Sequence, residues 1–264
     1  MRAPRCCLAL VIAGLAMGTP ALAQQTEKEF DAADKVYDPK AMQKAREALR
    51  KETGGQVNYF VLADRFEVQT NEGAGQMLLD AQGWVGSDYQ RFWVKTEGEY
   101  AEGGKLEEAE IQGLYSRAIS PFFDFQAGVR QEVAPGLRRT FGVFGFQGLA
   151  PYWFEIDTAL FISNDGDVSA RFESEYDLFV TQRLILQPRA ELNFAFQKVE
   201  RLGIGSGLST AEVGVRLRYE IRREFTPYIG VSWTGATGQS ADLWRRQGEN
   251  PNSLSVVAGI RFWY

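Results

Sequence analysis

From Val57 onward, apolar side chains return at every second position. Between Ala170 and Phe196 the even positions hold Phe172, Tyr176, Leu178, Leu184, Leu186, Leu192, Phe194 and Phe196. The odd positions hold Arg171, Glu173, Glu175, Asp177, Arg183, Gln187, Arg189, Glu191 and Asn193. Side chains alternate across a strand, so one face is apolar and the other charged. The same alternation predicts twelve strands, over Val57–Gln69, Gln76–Val85, Gln90–Tyr100, Leu106–Ser116, Phe122–Glu132 and Thr140–Gln147, then Trp153–Ile162, Val168–Leu178, Leu184–Phe196, Ala211–Ile221, Tyr228–Thr234 and Leu254–Tyr264. Most run 10 to 13 residues, a length suited to crossing a bilayer at a tilt. No helical stretch is expected between them, so nothing covers the apolar faces. The expected fold is all-β: a transmembrane antiparallel up-and-down barrel of about twelve strands over residues 56–264, with lipid outside and a charged lumen inside.

The connections give the barrel a direction. "ISPFF", "LAPYW" and "FTPYI" join strands on one side, each pairing a proline with aromatic residues suited to a membrane interface. "GSDY" and "FVTQR" lie on that side too. The longest connections, Gln197–Thr210 and Gly235–Ser253, fall on the other. Short periplasmic turns and longer outer loops are the asymmetry of an outer-membrane barrel, and an even strand count returns both ends to the short-turn side. The last strand runs into "RFWY", an aromatic ending of the kind read by the barrel-insertion machinery.

Residues 1–23 read as a leader: Arg2 and Arg5, an apolar run from Cys7 to Met17, then Ala21-Leu22-Ala23 as a cleavage site. Residues 24–55 are polar, with too little apolar surface to fold alone and a possible short helix at Met42–Lys51. Cleavage after Ala23 removes both cysteines and two of the 29 basic residues but none of the 34 acidic ones. That leaves 27 against 34, a net charge of −7. The remaining chain has no Cys and no His, and its methionines are Met42 and Met77. Disulfides, thiolate or imidazole metal sites and every His-dependent catalytic triad are thereby excluded. Acidity without basic clusters argues against nucleic acid as a partner. "GIGSGLS" (Gly203–Ser209) lacks the Lys-Ser/Thr of a phosphate loop and lies between two strands, which reads as a flexible outer loop. No enzyme is expected.

Five stretches resemble the copper resistance protein B family: Asp80–Glu99, Leu114–Glu132, Gly148–Ser163, Ala170–Phe196 and Gly203–Val231. The likeness runs collinearly over Asn58–Tyr264. It implies an outer-membrane barrel in bacterial copper tolerance, with copper as bound ion and a periplasmic multicopper oxidase as functional partner. Family members carry a Met- and His-rich segment ahead of the barrel, whereas here that region offers Met42 and no His. Copper binding through those motifs therefore does not carry over.

Inward-parity carboxylates remain as oxygen ligands: Glu97, Glu99, Glu108, Glu110, Glu173, Glu175 and Asp177. Oxygen donors hold Cu(II) but select poorly for it. The plainer reading is that they neutralise inward Arg91, Lys95, Arg130, Arg171, Arg189, Arg216 and Arg218. Met77 is expected to face lipid or anchor a loop, not to act as a ligand. Opposite charges pair best where residue numbers sum to 362, setting Glu173 against Arg189 and Arg171 against Glu191. Glu175 and Asp177 are then left without an opposite partner, the place to look for a cation. Two rival functions stay open: a narrow porin or structural barrel without metal function, and a soluble periplasmic barrel holding an apolar ligand.

Overall fold

The computed structural model describes residues 33, 36–53, 56–71, 74–101, 105–133 and 138–264. The expected leader, residues 1–23, and much of the 24–55 segment lie outside these. The chain divides into Met1–Gln56 and Val57–Tyr264. In the first unit a helix, α1, spans Pro39–Thr53, with the Ala41 amide donating to the Asp38 carboxylate at its start.

The second unit is a closed antiparallel barrel. Its strands are β1 (Asn58–Asn71), β2 (Ala74–Gly86), β3 (Gln90–Ala101), β4 (Lys105–Ala118), β5 (Phe123–Glu132), β6 (Thr140–Ala150) and β7 (Phe154–Ser163). They continue with β8 (Val168–Glu175), β9 (Leu178–Phe179), β10 (Leu184–Ala195), β11 (Gly207–Tyr219), β12 (Phe225–Ala236) and β13 (Asn252–Trp263). Both β8 and β9 lie against β10 and form one stave, so thirteen segments make twelve staves. The break has a local cause. Tyr176 faces Pro188, which has no N–H to return, and only the Tyr176 amide to Pro188 carbonyl bond survives (3.1 Å). β1 pairs with both β2 and β13, which closes the ring and leaves no sheet edge.

Burial follows parity. Phe66, Val68, Val94, Phe144, Val215, Val231 and Val256 are exposed on the outside, and Arg65, Glu67, Arg189, Arg216 and Arg218 are buried inside. Such an inversion is stable only with lipid as the outer solvent. Aromatic side chains crowd the short-turn rim, among them Tyr59, Tyr89, Phe122, Phe154 and Phe179. Tyr152 and Trp153 stand out in the β6–β7 turn, held at φ 67° and 69°. Left-handed backbone costs each about 1–2 kcal/mol.

Four expectations need correction. First, β1 does not keep one parity: a bulge between Ala63 and Arg65 admits an extra residue, so Leu62 points inward before it and Arg65 and Glu67 after it. Second, the β8–β10 register sums to 364, not 362. Arg189 lies opposite Glu175, and Glu191 opposite Glu173. The turn sets this. Thr181 Oγ1 accepts from the Leu184 amide (2.9 Å), the Val180 amide donates to the Leu184 carbonyl (2.9 Å), and the hairpin folds about Gln182. Third, a helix does interrupt the series: α2 (Gly238–Gln247) sits in the β12–β13 loop. Fourth, the Gly203–Ser209 loop is tied down. The Gly205 amide donates to Ser240 Oγ (2.8 Å), and a Cβ on Gly205 would stand 2.5 Å from the Ser240 amide nitrogen. Only glycine fits so close to α2.

Candidate functional site: the lumen

The lumen has two unlike walls. Along the arc from β10 through β13 to β1, the side chains are charged and out of reach of water: Glu67, Arg65, Arg216 and Arg189 are 1 to 3% exposed. Glu67 accepts two hydrogen bonds from Arg216 (2.9 and 3.0 Å) and one from Tyr228 (3.0 Å). Three guanidinium groups, from Arg65, Arg189 and Arg216, approach Glu212 at 3.9, 3.5 and 3.9 Å. Buried charges persist only when paired in this way.

The opposite arc, β3 to β7, carries an apolar floor of Trp93, Leu114, Phe141, Val143 and Phe161. Cations lie on its rings, with Arg130 4.8 Å from the Phe161 centroid and Lys95 5.8 Å from that of Trp93. Beside this floor is a cavity of about 480 Å³. It reaches from Pro121, Phe122 and Leu149 at the short turns to Glu97, Glu110 and Arg171 at mid-barrel. Nine carboxyl and five basic side chains line it, an excess of four acidic groups.

Register aligns acids in rows. Asp80, Glu97, Glu110 and Glu132 stand directly opposite one another across β2 to β5. Asp157, Glu173, Glu191 and Glu212 do the same across β7, β8, β10 and β11. Like charges so placed repel. Arginines resolve the repulsion by each bridging two acids: Arg65 holds the directly opposed Asp80 (2.9 Å) and, one strand further, Glu97 (2.8 Å), and Arg130 holds Glu110 on the neighbouring strand (2.7 Å) and Glu132 on its own (2.8 Å). Arg189 holds Glu173 (2.8 Å), Glu175 (3.0 Å) and Glu191 (2.8 Å). Arg171 joins the rows, touching Glu97 and Glu110 at 3.3 Å and Glu191 at 3.6 Å.

Of the carboxylates named from the sequence, Glu97, Glu110, Glu173, Glu175 and Asp177 are distributed among counterions. Arg189 contacts Glu173 and Arg171 contacts Glu191, but on diagonals and not as directly opposed pairs. Glu175 and Asp177 do have partners, contrary to expectation: Glu175 accepts from Gln187 (2.7 Å) as well as Arg189, and Asp177 pairs with Arg218. Glu99 faces Glu108 near the outer end and accepts from Gln76 (2.7 Å). Among the described residues no group of three or more acids is arranged to hold a metal ion. Met77 is 37% exposed on the outer surface, opposite Val68 and Tyr100. The lumen therefore offers oxygen donors already engaged by guanidinium and amide groups, a poor fit to a tight copper site.

Sequence reasoning missed Arg65, Glu67, Asp80, Asp157 and Glu212. For Arg65 and Glu67 the signal was present: in "VLADRFEV" the outward apolar positions jump from Val61 to Phe66, an odd step that marks the bulge.

Comparison with known proteins adds the biological frame. The family described as "Copper resistance protein B precursor (CopB)" matches residues 57–264. The chain belongs to this copper resistance protein B family. It is 45% identical over 208 residues to Copper resistance protein B of Escherichia coli, covering 79% of this chain and 70% of that protein. It is 41% identical, with the same coverage, to the Copper resistance protein B homolog of Pseudomonas syringae pv. tomato. Among solved structures the NanC porin shares the fold at a TM-score of 0.52 and 12% identity, covering 78% of this chain and 99% of that one. The CopB-family barrel described here is a copper-resistance barrel of the bacterial outer membrane, in contact with lipid.

Proposed function

We propose that this barrel serves copper resistance by controlling the passage of copper, as a hydrated cation, across the outer membrane. The role is non-catalytic and needs no tight binding. The observation that carries this reading is the donor set. The lumen is rich in carboxylates and holds an acidic excess around its cavity, yet most of its acids are shared among arginines, and among the described barrel residues the one methionine, Met77, is exposed on the outside. An acidic lumen attracts cations and lets them go, whereas soft or imidazole ligands would retain them. A periplasmic multicopper oxidase belongs to the same proposal as functional partner, since it would act on copper on the short-turn side. Deleting the gene and restoring it on a plasmid tests the reading. Copper tolerance is expected to fall on deletion and to return with the intact gene. Unchanged tolerance would favour the rival, a narrow barrel without metal function, for which the absence of histidine from the sequence and the outward position of Met77 speak.

A further inference from the structure

Two sets of ion pairs cross the lumen instead of running along its wall. Lys95 on β3 pairs with Asp157 on β7, four staves away around a ring of twelve. Arg171 on β8 reaches Glu97 on β3 and Glu110 on β4, five and four staves away. Contacts at such separations pass over the middle of the barrel. Both cations rest on aromatic rings that fix their direction, Lys95 on Trp93 and Arg171 on Phe161, each at 5.8 Å. The cavity is crossed by the Lys95 pair and bounded above by the Arg171 contacts. On the far side the packed network of Arg65, Glu67, Arg189 and Arg216 leaves these side chains almost no accessible surface.

We propose that Lys95 and Arg171 are bars that set the size limit of this barrel, closing its centre to organic solutes and leaving only small ions a route. The pore, not copper, is at issue, so failure of this inference would leave the copper reading standing. Both bars are cationic and their partners belong to an acidic lining. Removing them should therefore widen the path and also make it more cation-selective.

The test is conductance in planar bilayers in potassium chloride, with swelling of proteoliposomes in a pentose, on the full chain. Lys95→Ala with Arg171→Ala is expected to raise conductance several-fold, shift the reversal potential toward potassium and admit the pentose. The wild type should exclude the sugar. Lys95→Asp alone should leak, and the charge swap Lys95→Asp with Asp157→Lys should restore the wild-type value. Heat-modified gel mobility confirms folding. If the double alanine variant does not insert, the swap and its parent single variant decide, because the swap keeps both charges in place. Wild-type conductance in the double variant, or a swap that leaks as much as Lys95→Asp, overturns the proposal.

Discussion

The two walls of the lumen use the same residue types to opposite ends. From β10 to β1, arginines and carboxylates interlock until water is excluded, and Glu67 is 1% exposed between Arg216 and Tyr228. From β3 to β7, cations lie over aromatic rings beside a cavity, and Glu155 at its lower end is open to solvent. The first wall is a charged core that makes the barrel rigid. The second borders the lumen cavity. Charge alone does not tell them apart; counterion density does.

Substitutions should expose this contrast. Glu67→Ala leaves Arg216 buried without its carboxylate, and equilibrium unfolding by urea in lipid vesicles should show a loss of about 3–5 kcal/mol. Phe161→Ala on the other wall removes a larger side chain, but beside a space that water can fill. Its cost in the same assay should be about 2–3 kcal/mol, short of the full range for a sealed core. Glu155→Gln should lie within about 0.5 kcal/mol of the wild type. A reversed order, with Phe161→Ala costlier than Glu67→Ala, would mean that the charged wall is not the rigid one.

Much of this architecture could be read from the chain. The long alternating runs predicted twelve staves. The inward charges were visible from parity. Other features depend on quantities that no single strand carries. The acid rows appear only when register is known across several staves, as with Asp157, Glu173, Glu191 and Glu212. The β8–β10 register turned on Thr181 in the hairpin, not on the best opposite pairing of charges, because an arginine reaches diagonal partners as readily as direct ones. The β1 bulge changed the inward set from that point on. Helix α2 had no alternation to announce it, and its seat against Gly205 is a tertiary contact.

Most lumen carboxylates are engaged by arginines, and on the reading proposed above they attract cations without caging copper. Calorimetric titration of Cu(II) into the folded barrel tests it most directly. It should be run beside the variant carrying Glu173→Gln, Glu175→Gln and Asp177→Asn. The expected result is weak, unsaturated heat in both proteins, with no site in the micromolar range. A saturable micromolar site in the wild type that disappears in the triple variant would contradict the account.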